Sequence, residues 1–269
     1  MRFLGRTDLL DRQAKLLLLI SLLFALSTAL SNTFVNVYLW RIKSDYTMIG
    51  LFNLFNYLAM AVTFVFAGRL AKNIDRVIAI RLGVFVHAIF YLTVLLLGKL
   101  SAKYIIALGI ILGIGAGFFW LAFNVLLFEI TNRDNRDIFN GINGLLTSAG
   151  GIIAPVFSGW LITYMDDLVG YRIIFGVSFI IFGIAVVISF LLQRRLTREA
   201  FRLGSILRKC LQPDTHWFWV NLAMIAHGLR EGVFLFLIGL LVFVTTDNEL
   251  IVGSFATISS AVSLVGFLV

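Results

Sequence analysis

Eight apolar stretches, each about 20 residues long, constrain the fold of this sequence more than any other feature. A helix of about 20 apolar residues crosses the ~30 Å hydrocarbon core of a bilayer. The predicted spans cover residues 16–40, 48–66, 77–97, 104–128, 138–164, 173–192, 218–244 and 251–269. The first is too long for the apolar segment of a cleaved signal peptide, and no small-residue cleavage site follows it. The sequence therefore predicts an all-α integral membrane protein.

The composition excludes an ordinary soluble domain. Hydrophobic residues make up 60% of the 269 residues and charged residues only 13%, whereas soluble domains are about half apolar and a quarter charged. Cys210 is the single cysteine, so no disulfide can form within the chain. The lipid bilayer is the expected partner of the apolar surface.

Lysine and arginine residues lie mainly on one side of the predicted membrane. With the N-terminus inside, the inner segments hold about three times as many as the outer ones. Cytoplasmic loops carry such an excess. We therefore expect a multi-pass protein of the cell membrane (plasma or inner), with a cytoplasmic N-terminus. The same distribution accounts for the net charge of +8 along membrane borders, so no nucleic-acid partner is expected.

The longest polar stretch, residues 193–216, divides the chain into three predicted parts. These are an N-terminal six-helix transmembrane bundle (1–192), a basic cytoplasmic linker (193–216) and a partial C-terminal bundle with helices seven and eight (217–269). Apolar residues recur at near-helical spacing within the linker: Phe201, Leu203, Ile206, Leu207 and Leu211. They indicate a short amphipathic helix on the anionic inner leaflet, or a linker that only fixes topology.

Spans two and three are joined by the stretch "GRLAKNIDR". It contains Gly68, Lys72, Asp75 and Arg76. Together with six spans, a basic central loop and the start of a second bundle, it resembles the major facilitator superfamily, whose members enclose a midplane cavity between two six-helix bundles. Lys72 stands where that family has an acid. The resemblance implies a charge cluster that holds one conformation; the alternative is a basic connection that only sets topology.

The fifth span, "GINGLLTSAGGIIAPVFSG", is the more specific stretch. Its small residues and proline are Gly141, Gly150, Ala154, Pro155 and Gly159. The spacing resembles the fifth-helix motif of drug/metabolite:proton antiporters in the same superfamily. Small residues at this spacing allow close helix contact, and a proline removes a backbone hydrogen bond. The resemblance implies proton-coupled export, and ordinary small-residue packing is the alternative.

Polar residues form stripes within the apolar spans. By the family resemblance, helices one, four, seven and ten line the substrate path, which selects Asn32, Asn36, Trp120 and Asn124 as candidates to line a cavity for a small-molecule substrate. Gly113 and Gly117 form a close-packing stripe on span four. The group formed by Asn53, Asn56 and Tyr57 in span two either makes interhelical hydrogen bonds or faces the cavity. We expect His87 to be a neutral, hydrogen-bonded histidine.

Span seven carries three ionisable residues, His227, Arg230 and Glu231, near the expected middle of the bilayer. Such residues are functional candidates, because charged groups are disfavoured at that depth. Desolvation raises the pKa of a carboxyl group and a nearby cation lowers it, so a conformational change could couple protonation of Glu231 to transport. The alternative is a static Arg–Glu pair. Protons are therefore a candidate partner.

Motifs for enzymatic chemistry are absent from the sequence. It contains no H-E-x-x-H, no G-x-S-x-G and no phosphate-binding P-loop, and no cofactor or metal is expected. We expect a major-facilitator-type secondary transporter, not an enzyme, that exports small organic molecules in exchange for protons. An importer or facilitator and a non-transporting membrane scaffold are the alternatives. The eighth span ends with the chain, four helices short of the family pattern, so a C-terminally truncated member is expected.

Overall fold

The computed structural model describes residues 8–165, 168–195, 201–213 and 216–268. All regular elements in these ranges are helical, as predicted. They are α1 (Arg12–Ile42), α2 (Tyr46–Asn73), α3 (Arg76–Leu97), a 3-10 turn (Gly98–Lys103), α4 (Ile105–Ile130), α5 (Arg136–Thr163), α6 (Val169–Ser189), α7 (Leu203–Leu211), α8 (His216–Gly232), a π-helical turn (Val233–Ile238), α9 (Gly239–Thr246) and α10 (Glu249–Leu268).

Helices α1 to α6 form a bundle and match the first six predicted spans. They are the six helices in the described part of the chain that are long and apolar enough to cross a membrane. The bundle has two ends. The basic end carries the first turns of α1 and α3 and the last turns of α2, α4 and α6. The opposite end carries the short connection between α1 and α2.

Aspartates begin three of these helices. The carboxylates of Asp11, Asp45 and Asp75 accept backbone N–H groups in the first turns of α1, α2 and α3. Such caps satisfy donors that have no partner within the helix. At the exposed connection between α1 and α2, the hydrogen bond from Met48 and then the contact with Lys43 lower the pKa of Asp45. The helix starts are therefore fixed by polar side chains outside the apolar runs.

The connection between α2 and α3 is shorter than the sequence predicted. Helix α2 continues to Asn73, so Gly68 lies inside the helix and only Ile74 and Asp75 separate α2 from α3. A Cβ atom on Gly68 would lie 2.9 Å from the ring of Phe201 in the segment after α6. The glycine therefore leaves room for the linker to contact α2.

Glycines on α4 allow the closest contact in the bundle. A Cβ atom on Gly109 would overlap the carbonyl oxygen of Phe52, and one on Gly113 would overlap that of Asn56. Gly117 meets the side chain of Thr63 in the same way. The predicted stripe of Gly113 and Gly117 is confirmed, and its partner is α2.

An aromatic cluster fills the centre of the bundle. Phe24 of α1 stacks on Phe119 of α4 and contacts the edges of His87 of α3 and Phe182 of α6. Phe119 and Phe182 are fully buried. These rings join four helices at one level, so the polar residues beside them are held in fixed positions.

The seventh predicted span, residues 218–244, is not one continuous α-helix. Helix α8 ends at Gly232, a π-helical turn follows, and α9 begins at Gly239. A π-helical turn changes the hydrogen-bond register by one residue and so redirects the helix face. Helix α7 forms within the predicted linker and exposes Ile206, Leu207 and Leu211. Residues 196–200 and 214–215 of the linker lie outside the described residues.

Helix α10 packs lengthwise against α5. A Cβ atom on Gly253 would overlap the carbonyl oxygen of Pro155, and one on Gly159 would overlap that of Glu249. Ala154 is buried in α5 and Gly141 is half-buried nearer its start. Gly150 differs, because it faces Leu26 of α1 at an ordinary contact distance of 3.8 Å.

Candidate functional site

Two neighbouring cavities lie within the helix assembly, with volumes of about 380 Å³ and 270 Å³. Both are lined by Phe24, Thr28 and Asn32 of α1 and by Trp120 of α4. The larger cavity extends between α5 and α10, and the smaller one extends between α2 and α3. Because they share one wall, they form a single candidate binding region near the centre of the bundle.

The larger cavity is polar but carries no charged lining residue. Asn143 and Thr147 of α5 face Ser260 of α10 across it. The hydroxyl of Ser21 donates a 2.7 Å hydrogen bond to Oδ1 of Asn143. An uncharged amide and several hydroxyl groups can hold an organic molecule by hydrogen bonds within an apolar wall.

The smaller cavity contains an unpaired polar atom. Oδ1 of Asn56 is buried and has no hydrogen-bond partner among the described residues. Asn56, Tyr57 and His87 line this cavity together with aromatic rings from α1 and α4. Buried polar groups normally have partners, so this oxygen is a candidate contact for a ligand.

The structure separates the four cavity candidates named from the sequence. Asn32 and Trp120 line both cavities. Asn36 does not line either cavity, because its Oδ1 accepts a 2.8 Å hydrogen bond from Nδ2 of Asn53 in α2. The side chain of Asn124 is exposed and donates to the carbonyl oxygen of Trp120 one turn earlier. The amides of span two therefore divide between an interhelical bond at Asn53 and a cavity position at Asn56.

His87 is buried, and its Nδ1 lies 2.8 Å from the carbonyl oxygen of Gly83. A carbonyl oxygen only accepts, so Nδ1 carries a proton and donates it. This confirms the predicted hydrogen-bonded histidine. The ring also lines the smaller cavity, which the sequence did not indicate.

The three ionisable residues of span seven lie on the exposed helix α8, where none of the residues is buried. Arg230 Nη2 and Glu231 Oε1 form an ion pair at 2.5 Å, with the two side chains 63% and 34% exposed. His227 lies one turn before Glu231, is exposed, and makes no side-chain hydrogen bond to the described residues.

An ion-pair network joins α1, α6 and α10 at the opposite end of the bundle. Nε of Arg41 donates to Oε1 of Glu249 at 3.1 Å, and the hydroxyl of Tyr171 donates to the same oxygen at 2.8 Å. Glu249 is only 4% exposed. The guanidinium also lies over the ring of Phe243 and 3.5 Å from Asp247. The network thus connects the N-terminal bundle to α10.

A second charge cluster lies at the basic end. Oδ1 of the buried Asp75 accepts the backbone N–H groups of Val77 and Arg195. Arg76 forms an ion pair with Glu129 at the end of α4, with 2.5 Å between Nε and Oε1. Asp75 and Arg76 were both named from the sequence. The arrangement attaches the start of the linker to α3 and α4.

Sequence reasoning missed the roles of Asn143, Thr147, Arg41, Glu249 and Gly253. Asn143 and Thr147 are four residues apart, so a search for polar stripes in α5 could have found them. The ion pair of Arg41 and Glu249 had no local signal, because the two residues are separated by 208 positions.

The family model of the Major Facilitator Superfamily matches residues 17–269, and the chain therefore belongs to that family. It is 45% identical over 251 residues to "Uncharacterized protein YqgE" of Bacillus subtilis (strain 168), which covers 93% of this chain and 58% of that protein. It is 48% identical over 165 residues to "Uncharacterized protein in sodM 3'region" of Geobacillus stearothermophilus, covering 61% of this chain and 77% of that protein. The chain thus spans less than two thirds of the length of YqgE.

Solved structures share the fold. A bacterial homologue of the human drug peptide transporters PepT1 and PepT2 superposes with a TM-score of 0.57 at 14% identity, covering 94% of this chain and 53% of that chain. The peptide transporter POT in complex with sulfate gives 0.57 at 12% identity, covering 96% of this chain and 50% of that chain. At these identities the similarity shows the fold alone, and it confirms the predicted major-facilitator-type all-α membrane architecture.

Proposed function

We propose that this protein is a secondary active transporter of the cell membrane that exports small organic molecules in exchange for protons. The observation that carries the proposal is the uncharged, polar cavity region shared by α1, α2, α4, α5 and α10. It has the size and lining of a small-molecule site. We place the basic end and the N-terminus in the cytoplasm, because basic residues concentrate there.

Alternating access requires contacts that close one end of the binding region, and the structure contains candidates for them at the opposite end of the bundle. At the opposite end, α10 is held to the bundle by the network of Arg41, Tyr171 and Glu249 and by glycine contacts with α5. In the proposed orientation this network lies on the outer side of the membrane and holds α10 to the bundle there.

Proton coupling is assigned to the pair of Arg230 and Glu231. A proton on Glu231 removes its negative charge, so the carboxyl group no longer forms an ion pair with Arg230. Protonation would then change the relative stability of conformations that differ in the surroundings of this pair on α8. The direction of transport rests on the fifth-helix motif, whose Pro155 and Gly159 contact α10.

Inverted membrane vesicles containing the complete gene product test the proposal. A proton gradient, acid inside, should drive uptake of one or more compounds from a panel of fluorescent organic dyes. The Glu231→Gln variant should lose this uptake but retain exchange of dye across the membrane without a gradient. Asp134→Asn, a matched change in an exposed connection, should retain both activities.

Three results would contradict the proposal. Gradient-driven movement in the other direction would identify an importer. Equal loss or equal retention of both activities in Glu231→Gln would assign the ion pair a static role. An absence of saturable transport for every dye, with the protein folded in the membrane, would favour a scaffold.

A further inference from the structure

The smaller cavity contains two hydrogen-bond acceptors that receive no hydrogen bond from the described residues. We name it the acceptor pocket, and its defining residues are Asn56, His87, Phe24, Tyr57 and Trp120. Oδ1 of Asn56 is buried and accepts no hydrogen bond from the part of the chain that the structure describes. Nδ1 of His87 is the proton donor to Gly83, so Nε2 of the neutral ring is the other acceptor. The described residues provide no hydrogen bond to Nε2.

The position of Asn56 is fixed by backbone contacts. The α4 glycines Gly109 and Gly113 lie directly against the backbone N and O atoms of Asn56, where any Cβ would clash. The helix therefore cannot rotate about its axis to give the amide another partner without losing this packing. His87 is held in the same way, because Gly115 lies against its ring and Phe24 and Phe182 contact its faces and edges.

The remaining walls of the acceptor pocket suit a nitrogen-bearing ligand. Trp120 packs edge-on against Phe24, and Tyr57 is partly exposed at the pocket. Aromatic faces attract a cationic or polarised N–H group and also cover an apolar body. The pocket lining itself contains no lysine or arginine that would repel a cation.

We propose that the acceptor pocket binds the nitrogen of a small organic primary amine, which donates N–H groups to Oδ1 of Asn56 and Nε2 of His87. The aromatic side chains hold the carbon skeleton of the ligand. The inference deepens the proposed function and rests on it for the role of the pocket in transport. Binding itself requires no gradient, so the pocket can be tested separately. A protonated and a neutral amine share the donor chemistry, and they are distinguished by the pH of the measurement.

Purified complete protein in detergent is titrated with three probes by isothermal calorimetry: 2-phenylethylamine, its N,N,N-trimethylammonium analogue and 2-phenylethanol. The trimethyl analogue keeps the positive charge and the aromatic ring but has no N–H donor. The alcohol has one donor and no charge. We expect the primary amine to bind at least tenfold more tightly than the trimethyl analogue. Titration at pH 7 and at pH 10.5 shows whether the ammonium or the neutral amine is preferred.

Variants then test whether Asn56 causes the preference for the primary amine over its trimethylammonium analogue. Asn56→Leu removes the acceptor and should reduce the preference for the primary amine to less than threefold. Asn56→Asp keeps two acceptor oxygens and should retain it, which separates loss of the acceptor from misfolding. Asn140→Leu makes the same chemical change at an exposed position of α5 and should bind as the parent protein does.

Equal affinity for the amine and its trimethyl analogue would overturn the inference, and so would an unchanged preference in Asn56→Leu. An absence of saturable binding across aryl-alkyl primary amines with one to five methylene groups would also overturn it. If the amine preference is found but Glu231→Gln transports normally, the coupling assignment fails and the inference stands. If Glu231 is required and no amine preference exists, the inference fails and the proposed function stands.

Discussion

Arg41 in α1 and Glu249 at the start of α10 form a buried ion pair, with 3.1 Å between Nε and Oε1, although 208 positions separate them in the chain. The Glu249 side chain is 6% exposed and that of Arg41 is 39% exposed. Removing one partner of a buried pair destabilises by about 3–5 kcal/mol. The exposure of Arg41 reduces the effect, because solvent screens that side of the pair.

Glu249→Gln should open the molecule at the opposite end of the bundle. If the substitution destabilises the closed state relative to the open state by about 1.4 kcal/mol, the fraction of molecules that are open at this end rises about tenfold. We expect Ile162→Cys, placed in a Cys210→Ser background, to react about tenfold faster with a membrane-impermeant maleimide when Glu249→Gln is added. Ile162 is buried and lines the cavity beside Arg41. Asp247→Asn serves as the control, because Asp247 is 79% exposed and should leave the rate nearly unchanged. An equal rate in both variants would contradict a closing role for Glu249.

Gly253→Ala should weaken the contact between α10 and α5, whereas Gly150→Ala should not. Alanine favours a helix over glycine by about 1 kcal/mol, but a Cβ atom at Gly253 would overlap the carbonyl oxygen of Pro155. Forcing extra atoms into a packed contact destabilises by about 1–3 kcal/mol. Thermal unfolding in detergent should show a lower midpoint for Gly253→Ala and an unchanged or higher one for Gly150→Ala. The reverse order would mean that α10 does not rest on Pro155.

Gly113→Ala should destabilise the N-terminal bundle and disturb the acceptor pocket. The new Cβ atom would overlap the backbone oxygen of Asn56, so α2 must move away from α4. Gly176→Ala is the matched control, since nothing lies within 4 Å of a Cβ atom at that position in α6. We expect a lower unfolding midpoint only for Gly113→Ala, by an amount that corresponds to about 1–3 kcal/mol. Equal midpoints for both variants would show that α2 and α4 are not in tight contact.

Asn36 and Asn53 should be energetically coupled. Asn53→Leu leaves Oδ1 of Asn36 without its 2.8 Å hydrogen bond, and Asn36→Leu leaves Nδ2 of Asn53 with only the carbonyl oxygen of Ile49. Interhelical hydrogen bonds in membrane proteins contribute about 0.6 kcal/mol on average and at most about 1.7 kcal/mol. The double variant should therefore be more stable than the sum of the single variants predicts, by about that amount. Strict additivity in a double-mutant cycle would exclude the bond.

The first six helices could be predicted from the sequence, because the length and the apolar character of a span are local properties of the chain. A helix satisfies its own backbone groups, so 20 apolar residues specify a span without reference to the rest of the chain. The spacing of residues within one helix also predicted which of them share a face. Gly113 and Gly117 are four residues apart, so they lie on one face, and the structure places that face against α2. The amphipathic segment around Ile206 and Leu207 followed from the same periodicity.

Local spacing could not distinguish a cavity from a helix contact. Asn32 and Asn36 are one turn apart on the same helix, yet Asn32 lines the cavities and Asn36 bonds to Asn53. The difference depends on where the neighbouring helices begin and how deeply the glycines of α4 let α2 approach. The break of the seventh span at Val233–Ile238 was hidden for a related reason, since an apolar run does not reveal its hydrogen-bond register.

The sequence by itself determined the membrane class, the number and order of the apolar helices in the N-terminal bundle, and the faces on which small residues lie. These depend on length, hydrophobicity and helical periodicity, which are set by neighbours in the chain. Only the tertiary structure decided that Glu249 meets Arg41, that Gly253 meets Pro155, and that Oδ1 of Asn56 has no partner within the described ranges of the chain. Those outcomes depend on ångström-scale distances between side chains that are far apart in the chain, and no local pattern encodes them.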